Sequence, residues 1–386
     1  MSQREKGDKG YRLEELLRAY FLRAGFFVVR GVPFMHAGDD LTDIDIWLYE
    51  RPTGSSRRRQ IVDAKSKTKP KAVERLLWTK GLAELLDVDG AWVATTDARP
   101  MLRNISKKLG ISVLDGSDIR RISDSDKVAF PDRLAEEELF AQIASLDRTR
   151  RNKEFQQQYH DIKHALIDNF GPGTINRALD TFAFVASIGS SAHPNSAGSE
   201  TALRLTYFAA AVAAIGLDFV NAEVSFRSAE ERQRALVNAI RYGSLDETSG
   251  SERIRLAIAL VEKYAPSGDT TARAVDMAVK KDFAEIPAEI VAEHVVKKTK
   301  PEDLFQIAKR LEQAAFSRKI TPFDGLSVEE KAFVAVLLDF SGIDRVRFAS
   351  SQTLATDRSA AVKKVVPKAP ASPGPLFSSI DHRDGE

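Results

Sequence analysis

The stretch that decides the fold reads Leu41-Thr42-Asp43-Ile44-Asp45-Ile46-Trp47-Leu48-Tyr49 and, after a polar basic turn, Gln60-Ile61-Val62-Asp63-Ala64-Lys65-Ser66-Lys67. Both runs alternate apolar and polar residues with a period of two, which predicts two half-buried β-strands. In the first strand Asp43, Asp45, Trp47 and Tyr49 share one face, opposite Ile44, Ile46 and Leu48. In the second, Ile61, Asp63 and Lys65 share a face, opposite Val62 and Ala64. If the strands pair, facing side chains sit about 5 Å apart, close enough for two carboxylates to share a metal ion.

Working outward, residues 11–24 carry Leu13, Leu16, Leu17, Tyr20, Phe21 and Ala24 at helical spacing, with Gly25 as a stop. Glu14 lies at the edge of that apolar face and Glu15 nearly opposite it. Phe26-Phe27-Val28-Val29 reads as a buried strand, and the Pro52 and Gly54 of residues 51–56 mark the turn between the two deciding strands. After Pro70 the pattern predicts a helix over 72–86, a strand over 91–95, a helix over 100–109 and a strand over 111–114. That order predicts a mixed sheet covered by helices, closing near Ile122. An α/β unit is therefore expected over residues 1–123 and an α-helical unit over 134–350, followed by a Pro-containing polar tail over 351–386 read as flexible.

In the helical part, Phe155, Tyr159, Ile162 and Leu166 form an apolar stripe that Gly171-Pro172-Gly173 breaks. Ser228 with Glu231 and Ser327 with Glu330 have the spacing of capping boxes. His160 and His164 are four apart on a helix, but Asp161 stands where a zinc-protease motif needs glutamate, so both are expected at the surface.

The composition limits the classes that fit. The chain has 386 residues, 43% hydrophobic and 29% charged, with a net charge of +2, so any signal for nucleic acid is local rather than global. The absence of cysteine excludes disulfides, thiolate metal sites and a cysteine nucleophile. Residues 1–10 are charged, unlike a secretory signal, and the most apolar stretch, residues 207–215, falls short of the roughly 20 needed to cross a bilayer. The expectation is a cytoplasmic protein with no membrane partner.

Asp63-Ala64-Lys65, preceded by an acidic strand, resembles the motif of the PD-(D/E)XK nuclease superfamily. The resemblance extends to neighbouring segments. Leu13-Glu14-Glu15-Leu16-Leu17 with Gly25-Phe26 looks like the opening helix of Mrr-type restriction endonucleases, and Thr42-Asp43-Ile44-Asp45-Ile46 looks like their metal-binding strand. Gly90-Ala91-Trp92-Val93-Ala94-Thr95-Thr96, and residues 111–122, are similar to their following strand and closing elements. The match covers the N-terminal third and implies a restriction-endonuclease-like fold. It departs from the pattern in having Asp63 where Glu is often found, and Glu74, Arg75 and Lys80 where many relatives carry Gln.

What the resemblance implies is a Mg²⁺-dependent endonuclease, with Mn²⁺ able to substitute, acting on DNA in restriction or phage defence. Asp45 and Asp63 would be the metal ligands, with Lys65 near the attacking water and Glu14 holding a metal-bound water or second ion. The family's acid falls on Asp45, although Asp43 shares its face. Hydrolysis of a phosphodiester has a very high uncatalysed barrier, which gives metal and lysine their use. Arg57, Arg58, Arg59, Lys67, Lys69, Lys71, Arg75 and Lys80 surround these acids and form a candidate basic rim for a phosphate backbone. The helical unit is left to supply target recognition, a homo-oligomer contact or a partner-protein surface. The alternative from another class is a catalytically inactive nuclease-fold protein that binds nucleic acid or acts as an assembly module.

Overall fold

Leucines and aromatics spaced three and four apart give the first helix, α1 (Gln3–Arg23), one apolar face, and Leu13, Leu17 and Phe21 bury it against a sheet. The computed structural model describes residues 3–65, 71–125, 130–191, 196–298 and 303–353. Lys67, Lys69 and the expected tail beyond Thr353 lie outside the described residues.

The sheet has five strands in the order β1 (Phe27–His36), β2 (Asp39–Glu50), β3 (Arg58–Lys65), β4 (Gly90–Thr95) and β5 (Ser112–Leu114). The first three run antiparallel and the last two parallel to β3, a mixed sheet as the sequence predicts. Strands β1 and β2 meet in a two-residue turn whose Ala37 and Gly38 both have positive φ, 53° and 92°. Such a turn matches the right-handed twist of the paired strands. The parallel crossovers are α2 (Ala72–Leu85) and α3 (Met101–Leu109), and α4 (Gly116–Ser123) closes the unit through an Asp115 capping box.

One expectation about the sheet fails at a specific place. Ile46 and Leu48 pack on the α1 side, as their alternation requires, but Ile44 joins Trp47 in the opposite core. Gly31 of β1, at φ +55°, lies between the Arg30↔Ile46 and Val32↔Ile44 pairs, so the pleat is interrupted opposite Asp45 without a shift of register. That interruption breaks the period-two alternation which the sequence alone suggests.

Beyond α4 the described residues are mainly helical. Its elements are α5 (Glu136–Arg150), α6 (Glu154–His164), α7 (Pro172–Ser191), α8 (Ala197–Glu223), α9 (Ala229–Tyr242), α10 (Glu247–Tyr264), α11 (Gly268–Glu285), α12 (Ala288–Glu293), α13 (Asp303–Phe316), α14 (Val328–Phe340) and α15 (Arg345–Thr353). Both expected capping boxes form, Ser228 with Glu231 and Ser327 with Glu330. Pro172 begins α7 rather than merely ending the helix before it. Among the described residues α8 is the one helix long and apolar enough to cross a bilayer, which residues 207–215 alone do not reveal. It is the core of the helical layer instead, with 94% of its apolar window buried.

The helical layer covers the sheet face that carries Trp47, Tyr49 and Ile61. Phe170 lies 5.5 Å from the Trp47 ring and 5.9 Å from that of Tyr49, and Phe305 meets Tyr49 at 5.9 Å. The sheet therefore lies between α1 and α4 on one side and α2, α3 and the helical layer on the other. His164 is not simply a surface residue, because its Nδ1 lies 3.1 Å from the Pro33 carbonyl on β1.

Buried charge joins the two parts at a second place. Arg18 on α1 reaches Glu312 on α13 at 3.0 Å and stacks 4.0 Å from the Phe316 ring, and Arg133 also pairs with Glu312. Nearby, the Glu136 carboxylate accepts hydrogen bonds from Lys163 Nζ at 2.8 Å and from the Tyr159 hydroxyl. Burial alone would push Glu136 up, but the charges of Lys163 and Arg18 outweigh it and bring the carboxyl from 4.5 down to about 2. A folded pKa below the unfolded one means that this stability is present above pH 4.5 and is lost as the pH falls toward 2. The displacement corresponds to about 3 kcal/mol. Glu136→Gln should therefore flatten the pH dependence of urea-unfolding midpoints in that acid window, and an unchanged slope would assign the acid sensitivity elsewhere.

Candidate active site

The interruption at Gly31 and the end of β3 bring Asp45 and Asp63 together where the β2–β3 ladder stops, inside the sheet rather than at its edge strands. The β2–β3 register runs from Glu50↔Arg58 to Ile46↔Val62 and stops there. Where the ladder ends, the Asp45 side chain replaces it: Oδ2 accepts from the Ala64 backbone N–H at 2.7 Å. The same oxygen lies 3.5 Å from Lys65 Nζ. Asp45 is thus fixed against the strand that carries Asp63 and Lys65. Asp43, by contrast, is exposed and lines a separate cavity of about 320 Å³ with Glu136, Glu137 and Tyr159. Of the two acids that share a face in the strand pattern, Asp45 is the one that contacts β3.

Asp63 is buried, and both of its oxygens are engaged by the forked guanidinium of Arg75 from the first turns of α2, with Nε to Oδ2 at 2.8 Å. The Asp45 charge also reaches Arg75, opposing the tendency of burial to lower the pKa of that guanidinium. The sequence reading places Arg75 in the basic flank; the structure puts it on the acid itself. Its signal was its position in the first turn of α2, the crossover helix that follows β3, which brings an α2 side chain back over the tip of that strand.

Glu14 reaches the site from α1. Its carboxylate accepts from Arg30 Nη2 at 2.8 Å, and the same buried arginine holds Glu15 at 2.6 Å and Glu137 at 2.9 Å. Glu15, expected nearly opposite the apolar face of α1, is thus drawn to the same cation as Glu14. Burial raises the Glu14 pKa; Arg30 opposes this, and the nearby Asp45 charge adds to the rise. A carboxyl in this setting binds a proton more readily than an ordinary surface glutamate.

The expected basic rim is only partly a rim. Arg57 is removed from it: its side chain is 3% exposed and forks onto the buried Asp218 of α8, with Nη2 to Oδ1 at 3.0 Å. Arg59 is mostly covered, donating to the Asp87 carbonyl and lying over the Phe170 and Phe219 rings. Both arginines turn inward because β3 begins under the helical layer, where the buried Asp218 carboxylate and two aromatic faces meet them. Arg58 stays exposed, 3.9 Å from Glu50. Lys71 and Lys80 remain outside on α2, paired along the helix with Glu74 and Glu84.

One residue beside the site has no counterpart in the sequence reading. Trp78 on α2 is 51% exposed, and its ring lies 6.0 Å from the Arg75 guanidinium carbon. Ala72, Leu76, Thr79 and Ala83 form the buried face of that helix, so Trp78 stands off it. The apolar run Leu76-Leu77-Trp78 hides this in the sequence, since not all of it can face one core.

Compared with known proteins, the chain matches no family model, no curated protein and no solved structure. The site therefore has to be judged on its own geometry and chemistry. It joins two carboxylates, an ammonium and a guanidinium at the open end of a strand pair.

Proposed function

We propose that this protein is a metal-dependent endonuclease of the PD-(D/E)XK type, with a restriction-endonuclease-like N-terminal unit that hydrolyses phosphodiester bonds of DNA. Restriction or phage defence is the setting that the resemblance suggests. The observation that carries the reading is the Asp45 carboxylate held between the Ala64 amide and the Lys65 ammonium, with Asp63 one residue before that amide. A surface acid–lysine pair on an edge strand would not need a second strand to open its ladder and place a carboxylate there.

The donor chemistry suits Mg²⁺ or Mn²⁺, which favour hard carboxylate oxygens. Asp63 is a buried carboxylate whose charge is balanced at rest by Arg75, and a divalent cation would balance it equally well once Arg75 moves away. Asp45 and Asp63 are the residues that would hold the ion. The chemistry a bound ion supplies is charge neutralisation at the phosphate and acidification of a water molecule. Lys65, two residues beyond Asp63 on β3, stabilises negative charge that develops on the attacking oxygen or the phosphate. Glu14, with its raised pKa, can hold a proton near the same site.

A second reading rests on the same Arg75 fork. With both Asp63 oxygens occupied, the fold could serve as a nucleic-acid-binding or assembly module without turnover. One experiment separates the two. Wild type, Asp63→Ala and Lys65→Ala are incubated with plasmid DNA and with RNA in Mg²⁺, Mn²⁺ or EDTA. The enzyme reading expects cutting by wild type only, abolished by EDTA. Equal binding with no cutting in any metal supports the second reading, and cutting that survives both substitutions retires the site.

A further inference from the structure

Arg75 and Trp78 are three apart on α2, away from its buried face, and Lys71, at the N-cap position of the helix, precedes Arg75 by four. Lys71 is exposed at the helix start, Arg75 sits on Asp63, and Trp78 holds an open aromatic face beside Arg75. Of the three tryptophans in the chain, Trp47 is fully buried and Trp92 is half-buried, with its indole N–H on Gln60 at 2.7 Å. Trp78 is the most exposed of the three, next to the candidate site.

Two cations followed by a flat ring match one chemical pattern, a backbone phosphate with an adjacent base. A base inside a duplex has both faces already stacked, so a protein ring can stack only on an unpaired one. We propose that Lys71, Arg75 and Trp78 form a nucleotide-engaging edge that takes a phosphate and the unpaired base beside it, and that Arg75 leaves Asp63 in order to bind that phosphate. This deepens the nuclease reading and rests on it for the identity of the ligand. Its consequence is coupling: nucleic acid that draws off Arg75 uncovers both Asp63 oxygens, so strand binding and cation binding strengthen one another. The substrate class is then single-stranded DNA or the unpaired segment of a gapped, flapped or frayed duplex. Leu77 and Leu85 are also exposed on α2, which makes a protein contact the competing use of this helix.

The test uses the full chain and reads binding, so it is independent of whether the protein cuts. Tryptophan emission is titrated in EDTA with a twelve-residue oligothymidylate and with the same strand annealed to its complement. The single strand is expected to quench emission and the duplex not to, while Trp78→Leu removes the quench and weakens anisotropy-measured affinity roughly tenfold or more. In the second arm, calorimetry measures Mn²⁺ binding without nucleic acid, where Arg75→Gln is expected to bind several-fold more tightly than wild type. Wild type should gain a similar factor when the oligonucleotide is present. Circular dichroism confirms that both variants are folded. Equal quenching by duplex, unchanged oligonucleotide affinity in Trp78→Leu, or unchanged Mn²⁺ affinity in Arg75→Gln each overturns the proposal. So does a Trp78→Leu variant that changes only the oligomeric state in sedimentation, because the edge would then be a contact between copies. A protein that binds the strand as expected but never cuts upholds this edge and retires only the cleavage reading.

Discussion

Asp45→Asn and Lys65→Ala should each lower DNA cleavage by about a thousandfold or more while leaving the thermal midpoint nearly unchanged. The asparagine is informative because its carbonyl oxygen can still accept the Ala64 N–H that Asp45 Oδ2 accepts at 2.7 Å. The end of the β2–β3 ladder then keeps its hydrogen bond and loses only the charge. Lys65 is one-third exposed, so truncating it removes an ammonium without opening a cavity in the core. Initial rates on plasmid DNA in Mg²⁺, set beside urea-unfolding midpoints, separate loss of chemistry from loss of fold. Asp43→Asn, an exposed acid that makes no contact with Ala64, serves as the matched control and should retain activity. If Asp43→Asn were the inactive variant and Asp45→Asn the active one, the site would have to be redrawn around the outer acid.

The second large effect concerns stability, at the seam between the sheet and the helical layer. Asp218 is fully buried on α8, where it accepts from the Tyr49 hydroxyl at 2.7 Å and from the fork of Arg57. Burial, reinforced by the Asp218 charge, holds the Tyr49 hydroxyl well above its ordinary pKa, so it remains a donor throughout the working range. Asp218→Ala strands the almost fully buried guanidinium of Arg57 and leaves the Tyr49 hydroxyl without its acceptor. Removing one partner of a buried ion pair costs about 3–5 kcal/mol, because the other charge is left uncompensated. The expected result is a loss of that size in urea unfolding for Asp218→Ala, and a smaller loss when Arg57→Ala is added to it. A loss under about 1 kcal/mol would mean that Arg57 relaxes to solvent and that the pair behaves like an exposed one.

How far the sequence reading reached depended on whether the physics was local. The strand pair at residues 41–65 was legible because side-chain alternation is set by the backbone of each strand, and the capping boxes at Ser228 and Ser327 were legible for a similar reason. The length of β1 was not. Arg30-Gly31-Val32-Pro33 carries a glycine at positive φ and a proline, residues that argue against a strand, and both are tolerated because β1 is an edge strand. The exposed Trp78 was hidden inside an apolar run, and the role of Arg57 depended on an acid 161 positions away.

The sequence by itself determined the order of strands and helices, the change from a mixed sheet to helices, and the presence of acids and a lysine on the faces of two successive strands. Only the tertiary structure decided that Asp45 rather than Asp43 closes onto β3, that Arg75 rests on Asp63, and that Arg57 and Arg59 serve the seam instead of the surface. The physical reason is range. Periodicity and capping are satisfied within a few residues, whereas the partner of a charge is whichever opposite group the completed packing places within about 4 Å of it.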